Sequence, residues 1–164
     1  MNPRLLSNNL LLPYVIAIWE DYFRSTFAAA LKYSNKREAA LKEARLNHGH
    51  LEQVALGSQP IERAIAESFS FQRPSVIAKN FRLLDKNLDL AAALRKPYRQ
   101  RKTSLFDSIE KLVEDRNEFV HAGHINLRLF DSQLKSTLSN MEMAIDRAYE
   151  CVAAHYHFAP SRDY

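Results

Sequence analysis

The sequence predicts an all-α domain on three observations: helix breakers are few, apolar residues recur at helical spacing, and capping residues flank the periodic stretches. Only three glycines and six prolines occur in 164 residues, against many Ala, Leu, Glu, Lys and Arg, the residues that lose least on entering a helix. The 46% hydrophobic content suits one buried core, and the length is too short for two comfortable ones. A single domain over residues 1–164 is therefore expected, a bundle of about five to seven helices of which two or three are long.

The first helix is expected from about Leu10 to Tyr33, with Ile16, Trp19, Phe23, Phe27, Ala30 and Leu31 on one stripe. Val15, Ile18 and Tyr22 widen that stripe and make this helix central. A polar helix follows from Asn35 to Leu46, ending before "NHGH", where Gly49 can supply a left-handed terminus. After the turn "LGSQP", a short helix begins at Pro60 or Ile61 and reaches Phe71, and Pro74 opens another that runs to Leu84. The stretch "DKNLDLAAALRKP" reads as a short helical piece closed by Pro97. Thr103 to Ala122 is the next long helix, with Thr103 or Ser104 as N-cap and Gly123 just past its end. Leu127 to Tyr156 closes the chain with Leu134, Leu138, Met141, Ile145, Ala148 and Val152 at steps of four and three.

A net charge of +4 favours polyanionic partners. The lone Cys151 rules out an intramolecular disulfide framework and a cysteine zinc site, and reads as a small buried hydrophobe. Arg4 before "LLLPYVIAIW", with "AAA" at Ala28 to Ala30, imitates a secretion signal. However, Glu20, Asp21 and Arg24 continue the helical pattern, and the apolar run is too short to span a bilayer. A cytoplasmic protein without a membrane partner is expected.

One position breaks the periodicity. At about 100° per residue, Leu105, Leu112, Val113 and Val120 fall within about 60° of Ile109, and Arg116 lies among them. A guanidinium cannot shed its proton to escape burial, so something anionic should meet it. Glu20, inside the apolar stripe of the first helix, is one internal candidate; a bound phosphate is the other. Asn117 and His121, four apart, stack on one helix face beside Arg116. His121 also stands in the last turn, where free carbonyls and the macrodipole favour imidazolium. That placement suits a general acid, or a histidine that merely caps the helix.

Arg116, polar Asn117, three further residues and His121, followed by Ala122, Gly123 and a last long helix, resemble the signature of the HEPN superfamily of small α-helical proteins. The segment "NFRLLDKNLDLAAALRKPYRQRKTSLFDSIEKLVEDRNEFVHAG" is similar to the bacterial RiboL-PSP-HEPN branch. The resemblance implies a HEPN-like bundle and metal-independent RNA cleavage by a homodimer whose two motifs face one another, with no cofactor. It implies that Arg116 neutralises the scissile phosphate, His121 transfers protons, Asn117 orients the phosphate or Arg116, and Glu20 supports Arg116 from behind. Toxin–antitoxin or antiviral-defence settings follow from it, with an antitoxin or defence-complex protein as partner. Members paired with a small nucleotidyltransferase carry a modifiable tyrosine two residues after the histidine; Gly123 stands there, which argues against that control.

A second feature points to RNA. "RKPYRQRK" sets Arg95, Lys96, Arg99, Arg101 and Lys102 around Tyr98 with no acid, so the segment is expected to hold phosphates and stack one base on Tyr98, unless it is only a solvated connection. The pairs His48 with His50 and His155 with His157 lack a supporting carboxylate at ligand spacing and are not expected to bind metal. Met141, Met143 and Trp19 read as packing residues. The reading preferred is a dimeric HEPN endoribonuclease; the alternatives are a non-catalytic HEPN module that binds RNA or a partner protein, and a plain helical assembly subunit.

Overall fold

The computed structural model describes residues 2–159. Among them are eight helices and no strand: α1 Pro3–Tyr33, α2 Arg37–Glu43, α3 His48–Ala55, α4 Ile61–Glu67, α5 Pro74–Leu84, α6 Leu90–Arg95, α7 Leu105–Ala122 and α8 Asp131–Tyr156.

Helix α1 starts seven residues before the expected Leu10. Pro3 occupies its first position, and the Asn2 side chain accepts the Arg4 N–H at 3.0 Å. The helix runs on through "SNN" because both asparagines are buried and find partners elsewhere in the fold. Its stripe of Leu12, Ile16, Trp19, Phe23 and Phe27 forms the centre of the core. Phe27 meets Phe71 and Phe81 at ring distances of 5.3 and 5.5 Å, the second pair edge to face. The Trp19 indole N–H donates to the Gln72 carbonyl at 3.1 Å. Ile18, by contrast, is 70% exposed and does not widen the core stripe.

Around Gly49 the chain departs from expectation. Gly49 lies in the first turn of α3, and Asn47 is that helix's N-cap, its side chain accepting the His50 N–H at 2.8 Å. The carboxamide starts a helix where the glycine had suggested an end. Gly57, with φ +70°, makes the turn after α3. Helix α4 stops at Glu67 rather than Phe71, and α8 begins at Asp131 rather than Leu127. Helix α7 begins after the Ser104 cap and ends at Gly123 with φ +67°, as the spacing predicts.

Three long helices position the site. Asp131 at the start of α8 meets Arg4 and Asn8 of α1, while Tyr149 to Tyr156 share a cleft with Tyr22 to Tyr33. Helices α1 and α8 therefore run parallel. Asn126, just beyond α7, binds Asn9, whereas Glu110 nearer the α7 start binds Arg73 beside the Gln72 that Trp19 holds. Helix α7 is thus antiparallel to both.

Candidate functional site

Helix α7 buries Leu105, Ile109, Leu112 and Val113. One turn on, at the edge of that buried stripe, stands half-buried Arg116. Its Nη1 donates to Asn117 Oδ1 at 2.8 Å, while its Nε is sealed from solvent and has no acceptor. No carboxylate stands within 4 Å of it among the described residues. Glu20 does not meet it: one Glu20 oxygen accepts from Arg24 at 2.8 Å and the other from Gln72 Nε2 at 3.2 Å. The expected support of Arg116 by Glu20 is therefore not made in this chain. Glu20 has the right angle on its own helix, but the residue four further on and the segment after α4 claim both oxygens.

His121 is exposed in the last turn, and its ring nitrogens have no partner among the described residues. The terminal carbonyls of α7 are met by main chain instead: Gly123 N–H donates to Phe119 O at 3.0 Å and His124 N–H to Glu118 O at 3.3 Å. The His121 side chain takes no part in these capping bonds. Asn117 and His121 share one helix face, and Asn117 reaches across to hold the Arg116 guanidinium: an amide orients the cation, and an exposed imidazole stands one turn beyond that amide. Such a set can neutralise an anion and move a proton beside it.

What fixes the end of α7 was not foreseen. Asn9, fully buried, accepts the Asn126 N–H at 2.8 Å and donates to the Asn126 carbonyl at 3.2 Å and to Leu5 O at 2.8 Å. Asn126 in turn donates to Asp115 Oδ2 at 2.8 Å, and Asn8 donates to Leu129 O and Asp131 Oδ1. Two adjacent asparagines of α1 thereby lock the connection that follows His121. The one sequence signal was a polar pair inside an apolar helical run, where unpaired amides would be costly. On the other flank of α7, Lys111, Asp115, Glu118, His124, Asn126 and Arg128 line a polar cleft of about 350 Å³.

The basic segment forms the α6–α7 connection. Tyr98 is only 7% exposed, so it cannot offer a face to a base, contrary to expectation. The guanidinium carbons of Arg99, Arg147 and Arg101 lie 5.0, 5.5 and 5.6 Å from its ring centre, and the ring is sealed beneath them. Arg101 also donates to Asn140 Oδ1 at 2.7 Å and Ser136 Oγ at 3.2 Å on α8. Arg147, overlooked in the sequence because it lies 45 residues beyond the segment, donates to the Lys96 and Pro97 carbonyls at 2.6 and 2.8 Å. Arg95 stacks over Phe106 at 3.9 Å.

Among the described residues no group of three or more His, Cys, Asp or Glu could hold a metal ion. His50 lies 3.6 Å from Glu67 and His155 3.6 Å from Asp85, each on a single carboxylate. Cys151 is half-buried against the core, and burial pushes its thiol pKa up. No helix among the described residues is long and apolar enough to cross a membrane. Comparison with models of known families, with curated proteins and with solved structures finds no match for this chain.

Proposed function

We propose that this protein is a metal-independent endoribonuclease of the HEPN type, acting in the cytoplasm as a homodimer in a toxin–antitoxin or antiviral-defence setting. The observation that carries the reading is Arg116. It stands at the core's edge with an unmatched Nε and no carboxylate in reach, held by Asn117, with an unengaged imidazole on the next turn. A purely structural arginine at this depth would be expected to meet a carboxylate, and Arg116 meets only the neutral Asn117 amide.

In this reading the ribose 2′-oxygen attacks the adjacent phosphorus, the bond from phosphorus to the 5′-oxygen breaks, and the products are a 2′,3′-cyclic phosphate and a 5′-hydroxyl. Arg116 offsets the charge that grows on the phosphoryl oxygens, the electrostatic task that usually contributes most. Asn117 holds the guanidinium in its donating orientation. His121 handles the proton, which leaves the 2′-hydroxyl and must arrive at the 5′-oxygen. The cations of the α6–α7 connection hold neighbouring phosphates.

The test is to incubate the protein and its His121→Ala variant with total RNA in chelator and analyse the fragment ends. Cyclic phosphate ends from the parent alone are expected. RNA bound but uncut by both proteins would favour the second reading, a non-catalytic HEPN module. That reading draws on the cationic connection, which needs no reaction at Arg116.

A further inference from the structure

Cations elsewhere in the molecule commonly have carboxylates beside them: Arg24 meets Glu20, Arg63 Glu67, Arg73 Glu110, Arg82 Asp89 and Lys111 Asp115. Arg95, Lys96, Arg99, Arg101, Lys102 and Arg147 have none within 4 Å among the described residues. They cluster on the α6–α7 connection and the stretch of α8 beneath it. They make no ion pair among the described residues.

The connection is also held in an unusual shape. Arg99 and Gln100 both adopt left-handed backbone, with φ of 48° and 55°, and the Arg101 N–H closes the turn on the Tyr98 carbonyl at 3.0 Å. Residues with side chains disfavour that conformation, and it persists only where the surroundings impose it. Arg147 imposes it from α8 through two carbonyls, and Tyr98 fills the space beneath. Arg99 and Lys102 stay exposed on this turn, above a buried ring.

Proteins that grip single strands combine cations with exposed aromatic faces on which bases stack. Here the one aromatic ring of the segment is covered by guanidinium groups, and only phosphates are left to be read. Without stacking, charge density decides, and a duplex carries more charge per unit length than a single strand. We infer that the α6–α7 surface holds the phosphate backbone of a base-paired RNA stem, irrespective of its sequence. The inference rests on the nuclease reading above for the choice of RNA.

The experiment titrates the His121→Ala protein, in chelator and at several salt concentrations, with a hairpin stem of about 16 base pairs and with a pyrimidine-only strand carrying the same number of phosphates. The stem is expected to bind roughly tenfold or more tightly, since with no ring open for stacking the higher charge density of the duplex decides. Arg101 and Arg147 also brace the turn, so the charge variant is Arg99→Gln with Lys102→Gln, two exposed side chains that make no hydrogen bond. That variant should weaken stem binding and flatten the slope of log K against log salt by nearly one for each cation removed, roughly 0.9 apiece. Equal or tighter binding of the single strand, or an unchanged slope, would overturn the stem inference. If the parent protein still cuts RNA in that case, the nuclease reading survives it. Absence of both binding and cleavage would remove the two together.

Discussion

A guanidinium at the edge of a core either closes an internal ion pair or waits for an external anion, and the two cases respond differently to truncation. Removing Arg116 from a buried pair would strand a carboxylate at a cost of about 3–5 kcal/mol. Glu20 has its own partners and Arg116 Nε has none, so Arg116→Ala strands no carboxylate and frees only the part-buried Asn117 Oδ1. The variant is expected to lose RNA cleavage while its unfolding free energy stays within about 1 kcal/mol of the parent by urea titration. A loss of several kcal/mol would mean that the side chain is structural. His121→Ala should lower the cleavage rate by about 10²- to 10⁴-fold with stability unchanged, because the ring is exposed and unbonded. Helical periodicity makes the placement of Arg116 on the apolar stripe legible from sequence. Its partner was not legible: periodicity gives the angle of Glu20 about α1 but not its height against α7, and nothing marks Gln72 as a competitor.

Among the elements, the decisive junction is between α1 and the connection that follows His121. Asn9 pairs with both main-chain groups of Asn126, in place of the strand or helix partner those groups would otherwise need. Replacing Asn9 by Leu keeps the volume and leaves the buried Asn126 N–H unmatched, while the Asn126 carbonyl keeps the Leu129 N–H at 3.2 Å. The variant should lose about 2 kcal/mol or more of stability, read by urea titration. A second junction, where α5 ends, gathers Asp85 with Lys36 at 3.3 Å and His155 at 3.6 Å. The Asn87 N–H at 3.0 Å, and then Lys36, hold the Asp85 carboxyl below its ordinary pKa against the opposing effect of desolvation. A carboxyl depressed on folding contributes stability above about pH 4, its unfolded pKa, and loses it as pH falls through the folded value. Asp85→Asn should therefore lower the urea midpoint at about pH 7, and the gap from the parent should narrow as pH falls below about 4. Elements with local signals were legible: α5 from Pro74 to Leu84 to the residue, and α7 up to the choice between Thr103 and Ser104 as its cap. The start of α1 was not, because the amides of Asn8 and Asn9 are satisfied more than a hundred residues away. Helix α3 escaped because Asn47 and Gly49 carry opposite signals and the cap prevails.

For the molecule as a whole, the open question is whether a single copy suffices. The proposed mechanism places two motifs face to face, so a second copy needs a surface to rest on, and the sequence offered none explicitly. In the fold, Leu11, Tyr14 and Ile18 stand exposed on α1 at steps of three and four residues. Beside them lies a cleft of about 350 Å³ whose lining is Val15, Ile18, Leu138, Met141 and Ile145 together with Glu142 and Asp146. Apolar residues scattered singly need no explanation, whereas a contiguous stripe along a helix and a flanking cleft are costly to leave in water. A two-fold arrangement would set this stripe against its own copy, so a charge at its centre would face the same charge across the axis. Ile18 is 70% exposed, and Ile18→Lys should leave the core and the unfolding midpoint as they are. Sedimentation of the parent should then give twice the 18.9 kDa chain mass, and that of the variant a single chain mass, with RNA cleavage lost in step. A parent that sediments as one chain yet cuts RNA would require Arg116 and His121 of the same α7 to complete the site alone.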